Sequence, residues 1–151
     1  MEKMYIIFGL VIVLIVIGFF VVFSFLGKPG ADELEKCKTL KFNGDDRVDV
    51  VFMSDEKTAE KYINALLEEK PYSENKEAFN FYVIEDYKPD CEIYKEIAIL
   101  CYSRELIRKA ASCPNDYIVV VKEEKPQIRS SAYMNVISLN SNHHPKNVFF
   151  A

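Results

Sequence analysis

A run of 22 residues, Tyr5 to Leu26, contains no charged side chain, and it constrains this chain more than any other feature. A helix rises ~1.5 Å per residue and a bilayer core is ~30 Å thick, so a helix of this length spans it with slight tilt. Such a helix also satisfies its own backbone groups, as hydrocarbon demands. A cleavable secretory signal has an apolar stretch of only ~7–15 residues ending in small residues. This run is longer, and Gly27–Ala31 (GKPGA) is a poor cleavage sequence. The predicted organisation is therefore a short tail (1–4), a membrane-spanning signal anchor (5–26), a polar stalk (27–42) and one outer domain (43–151). The lipid bilayer is the expected partner of Tyr5–Leu26. Lys28, Lys36 and Lys38 follow the run and only Lys3 precedes it, which taken alone favours an inward domain. Long domains translocate despite such charge, and four cysteines suit an oxidising space. The expectation is a single-pass protein of the cell membrane with its domain on the extracytoplasmic side.

The chain has 151 residues, and its 23 acidic and 19 basic side chains give a formal charge of -4. That balance argues against a nucleic-acid binder, which shows a basic surplus. All five glycines lie at or before position 44. The domain proper therefore lacks any glycine-rich phosphate loop, and no nucleotide partner is expected.

Within the domain, Asn43–Asp46 is a turn signal. Val48–Met53 (VDVVFM), Phe79–Ile84 (FNFYVI) and Tyr117–Lys122 (YIVVVK) read as buried strands. Ala59, Tyr62, Ile63, Leu66 and Leu67 follow the spacing of an amphipathic helix that Asp55 can cap and Pro71 stops. Strand, helix, strand implies a parallel βαβ unit. Glu92–Ala111 has helical period, with a break near Cys101–Ser103 where Ser103 can cap the second half. Ser131–Asn140 mixes polar and apolar residues on both faces, as at a sheet edge. Pro145 stands where a last helix begins. The predicted fold class is α/β: a small, twisted, mostly parallel sheet with flanking helices and an antiparallel edge strand, behind one transmembrane helix.

The ordered set of Asn43–Leu66, Lys70–Glu85, Cys113–Lys122, Ser130–Asn140 and Asn147–Ala151 resembles the zinc metallopeptidase family typified by IgA peptidases. The resemblance implies a zincin-like fold, incomplete here, with an edge strand lining the cleft. It also implies an active-site helix whose H-E-x-x-H motif holds zinc and supplies the general base. That motif is expected immediately after the segment resembling Asn147–Ala151, and none occurs in this chain. Accordingly, the resemblance implies no catalytic residue and no metal ligand here, and zinc only for a complete relative. The backbone around Tyr133, Met134, Asn135, Val136 and Ile137 would line the cleft for a peptide or protein substrate. The expected function is the N-terminal part of a membrane-anchored, extracytoplasmic zinc metallopeptidase. The alternative is a non-enzymatic, membrane-anchored binding domain with a peptidase-derived fold.

Other candidate chemistry is weaker. His143 and His144 are adjacent and would point ~100° apart on a helix, so they do not form an i, i+4 ligand pair. Cys37, Cys91, Cys101 and Cys113 are separated by 53, 9 and 11 residues, unlike the close pairs of zinc modules. Disulfides are expected, with three pairings open and local geometry favouring a bond within Cys91, Cys101 and Cys113. Asp45, Asp46 and Asp49 do not match a calcium loop and read as a solvated turn.

Overall fold

A computed structural model describes residues 37–148. Eight strands and three α-helices follow one another there: β1 (Lys38–Lys41), β2 (Val48–Met53), α1 (Glu56–Glu68), β3 (Phe79–Ile84), β4 (Glu92–Tyr94), β5 (Ala98–Leu100), α2 (Arg104–Ala110), β6 (Tyr117–Lys122), β7 (Ser131–Tyr133), β8 (Val136–Asn140) and α3 (Pro145–Val148), with two short 3-10 turns between α1 and β3. Six strands make one sheet in the order β1-β3-β2-β6-β8-β7, and β4 and β5 form a separate hairpin.

The near-continuous apolar runs of β2, β3 and β6 have a simple cause. Both faces of the sheet are covered, so successive side chains enter different cores. Val50, Phe52, Phe81, Val83, Val119 and Leu139 pack against α1. Val51, Met53, Ile84, Ile118, Val120 and Val136 pack against the layer that holds Ile99, Cys101, Leu106 and Cys113. Each such fully buried side chain contributes roughly 1.5–3 kcal/mol.

Helix α1 starts where Asp55 accepts a hydrogen bond from the Thr58 amide at 2.9 Å. It buries Ala59, Tyr62, Ile63, Ala65, Leu66 and Leu67. The chain steps from β2 to β3 through α1 on one face. It then steps back past β2 to β6 through β4, β5 and α2 on the other. Opposite steps on opposite faces are what a single handedness of crossover requires.

The structure corrects the expected fold class. The sheet is mixed: β3–β2, β2–β6 and β6–β8 are parallel, but β1 and β7 are antiparallel strands at its two edges. Lys38–Lys41, inside the stretch read as stalk, is one of those edges. Ser131–Asn140 is a hairpin rather than one edge strand, because Met134 and Asn135 turn the chain between β7 and β8. The region Glu92–Ala111 is helical only in α2. Its first half folds into the β4–β5 hairpin, which buries Ile99 and Cys101 on the sheet. Among the described residues no helix is long and apolar enough to cross a membrane. The expected span Tyr5–Leu26 lies outside the described residues.

Both disulfides are intramolecular. Cys37–Cys113 ties the start of β1 to the chain just after α2, and Cys91–Cys101 closes the base of the β4–β5 hairpin. Each of the three possible pairings leaves one bond within Cys91, Cys101 and Cys113, and the structure makes that bond Cys91–Cys101.

Candidate peptide-binding edge

The β7–β8 hairpin pairs Ser131 with Ser138, Ala132 with Ile137 and Tyr133 with Val136. A pair that closes a two-residue turn exchanges both of its backbone hydrogen bonds, and such pairs alternate along the ladder. The N–H and C=O of Ala132 therefore point away from β8. No strand lies beyond β7, and no backbone partner meets Ala132 on that side among the described residues. An exposed donor and acceptor on a sheet edge are a template for another extended chain. Met134 starts the turn with φ +54°, and the carbonyl of Asn135 accepts from the Ile118 amide at 2.8 Å.

A wall of apolar side chains rises beside this edge. The Ile99 amide donates to Arg129 O at 3.0 Å and the Arg129 amide to Ile97 O at 2.8 Å, which seats β5 against the entry to β7. The Ser131 hydroxyl donates to Ile99 O. The Tyr102 ring meets Tyr133 edge-on, with centroids 5.1 Å apart. Tyr133 is 52% exposed, Tyr102 38%, Ile97 53% and Met134 72%, although all are large and apolar in body. At the hairpin tip Lys95 and Glu96 have φ of +48° and +60°. With Ile97 they form a three-residue loop between the paired Tyr94 and Ala98, closed by the Ile97 amide donating to Tyr94 O at 2.9 Å and built without glycine. The Cys91–Cys101 bond and the β4–β5 ladder hold it.

The structure divides the five residues expected along the cleft. Tyr133 ends the edge strand, and Met134 and Asn135 form the exposed turn. Val136 is 1% exposed and, with Ile137, lies in β8 between β6 and β7. Tyr102 was not legible as a site residue, because Glu92–Ala111 has a helical period that says nothing about β7. Asp49 is tied inward: its carboxylate accepts from Asn80 Nδ2 at 2.8 Å and from the Tyr82 hydroxyl at 3.3 Å. Burial, then the nearby Asp49 charge, pushes the Tyr82 hydroxyl above its ordinary pKa.

The histidines serve the loop between β8 and α3. His143 Nε2 lies 2.7 Å from Pro126 O, and His144 Nδ1 accepts from the Lys146 amide at 3.3 Å. Lys146 reaches Glu68 at 2.7 Å, which raises the lysine pKa and holds the glutamate below the usual carboxylate range. All four cysteines are in disulfides, and among the described residues no three His, Cys, Asp or Glu side chains gather as a metal site needs. Residues 37–148 thus do not fit a zinc ion by themselves.

A cavity of about 670 Å³ opens at the carboxyl ends of β2, β3 and β6, lined by Ser54, Asp55, Glu85, Lys88, Lys122 and Glu123 among others. Two first-turn amides of α1 that an anion would need are bonded already, Thr58 N to Asp55 and Glu56 N to Glu85. Comparison with protein-family models and with curated proteins returned no match.

Proposed function

We propose that residues 37–148 form the substrate-receiving scaffold of an extracytoplasmic zinc metallopeptidase, held at the membrane through the apolar Tyr5–Leu26 run. The observation that carries this reading is the open backbone edge of β7 with Tyr133 and Met134 beside it. An extended peptide laid along that edge would gain main-chain hydrogen bonds and a fixed orientation. The ordered resemblance from Asn43 to Ala151 supports the peptidase class. Two disulfides suit an oxidising compartment. Helix α3 begins at Pro145, just ahead of the segment after which the resemblance implies an active-site helix. The described residues would bind and orient the peptide, while zinc and the general base would come from outside them.

The test is a zinc and peptidase assay on the product of the complete reading frame. Stoichiometric zinc, with cleavage of an unfolded protein that a chelator abolishes, supports the proposal. A complete product that holds no zinc refutes it. That result leaves the second reading, a non-enzymatic peptide-binding domain, which the edge also favours because edge and wall are complete within residues 97–134.

A further inference from the structure

We infer that the β7 edge selects extended peptides carrying a bulky apolar or aromatic side chain, read by Tyr102 and Tyr133. The inference rests on the reading of β7 as a peptide-receiving edge and adds what that edge would recognise. Side chains alternate across a strand, so Ser131 and Tyr133 share one face and Ala132 takes the other. The Ser131 hydroxyl bonds to Ile99 and the Tyr133 ring meets Tyr102, so the shared face is the one that β5 covers. A peptide added beside β7 places every second side chain on that face, next to Tyr133. The neighbours waiting there are two half-exposed tyrosine rings already in edge-to-face contact. Such a wall stacks on another ring or on a branched aliphatic chain, and offers little to a small polar one.

The wall is also preorganised. The disulfide closes the hairpin at its base and the β4–β5 ladder pairs Glu92, Ile93 and Tyr94 with Leu100, Ile99 and Ala98. The Ala98–Arg129 bridge joins that hairpin to the strand leading into β7. Binding therefore orders the peptide and leaves the wall unchanged, which conserves affinity. The occupant is set by two features together. The free backbone groups of Ala132 require an extended main chain, and the apolar wall requires a large side chain at one alternate position.

The experiment uses the purified full chain and two capped, fluorescently labelled heptapeptides of serine, threonine and glycine that differ only in a central Phe or Ser. A third peptide repeats the Phe sequence with alternate amides N-methylated, so that it cannot join a sheet. Polarisation should show the Phe peptide binding about tenfold more tightly than the Ser peptide, the scale of one partly buried aromatic anchor. N-methylation should abolish binding. Tyr102→Ser and Tyr133→Ser should each reduce the Phe peptide to the Ser level while leaving the Ser peptide unchanged. Both positions are exposed and lie on different elements, so either variant alone tests the wall should the other unfold. Equal affinity for both peptides overturns the inference and spares the edge reading. Phe preference that survives N-methylation also overturns it, as adhesion without strand addition. A wild-type chain that binds neither peptide overturns both.

Discussion

Asn140 organises the end of β8, and its replacement should be among the most damaging single changes in the domain. Its side chain is wholly buried. Nδ2 donates to Lys125 O at 3.0 Å and to Ile128 O at 2.8 Å, while Oδ1 accepts from the Glu124 amide at 3.2 Å and the Asn142 amide at 3.1 Å. Asn140→Ala strands the buried Ile128 carbonyl, which costs about 1–3 kcal/mol. The other three partners lie in partly or fully exposed residues and can turn to water, so they lose only the net value of a hydrogen bond, about 0.5–1.5 kcal/mol each. The total expected is about 2.5–7.5 kcal/mol, a large part of the ~5–15 kcal/mol that holds a typical domain. Urea unfolding followed by circular dichroism measures it. Asn140→Asp makes a sharper test, because it alters only the donor end. An aspartate there faces two carbonyl oxygens, so the fold favours its protonated form and raises its pKa above the unfolded value. Stability relative to wild type is then greatest below about pH 4 and falls as pH rises through the folded pKa. A loss under about 1 kcal/mol for Asn140→Ala, or an Asn140→Asp variant that gains relative stability between pH 4 and 7, would refute the reasoning.

Tyr62 is 1% exposed and its hydroxyl has no hydrogen-bond partner among the described residues. Tyr62→Phe should stabilise the domain by about 1 kcal/mol, read as a rise of several degrees in Tm. Burial also pushes this hydroxyl above its ordinary pKa, so wild type should lose stability as pH rises past ~10, and the variant should lose less. Cys37–Cys113 spans 76 residues and Cys91–Cys101 spans 10. Chain entropy alone then gives about 4.5 and 2.7 kcal/mol, so Cys37→Ala/Cys113→Ala should lower the urea midpoint more than Cys91→Ala/Cys101→Ala. The Thr58 hydrogen bond holds the Asp55 carboxyl below the usual carboxylate range, so its stabilisation is present above pH ~4 and lost as pH falls through the lowered value. Asp55→Ala should cost ~1 kcal/mol at pH 7 by thermal melt, and Asp55→Asn should keep the cap while flattening that acid limb.

Val48–Met53, Phe79–Ile84 and Tyr117–Lys122 were legible as strands because each is an apolar run too short for a helix and bounded by turn residues. Asp55 and the 59-62-63-66-67 spacing were equally legible as a capped, one-sided helix. The β4–β5 hairpin was not. Lys95 and Glu96 carry no glycine or asparagine signal for positive φ, and the stretch from Glu92 onward has a helical period. Long-range contacts overrode that local pattern: Cys91 bonds to Cys101, the Cys101 amide donates to Ser138 Oγ at 3.1 Å, and Ile99 is fully buried. The turn at Met134–Asn135 was hidden for the same reason, and with it the division of Ser131–Asn140 into an edge strand and an interior one.

Local chemistry alone therefore determined that β2, β3 and β6 are strands, where α1 begins, and that cysteines pair rather than hold metal. Hydrophobic period, capping and spacing act over a few residues, and those can be read in line. Tertiary structure decided the strand order, the mixed direction of the sheet, the choice among three disulfide pairings and the meeting of Tyr102 with Tyr133. Those outcomes depend on which distant surfaces exclude water together, and residues some 30 positions apart carry no sign in the sequence of lying side by side.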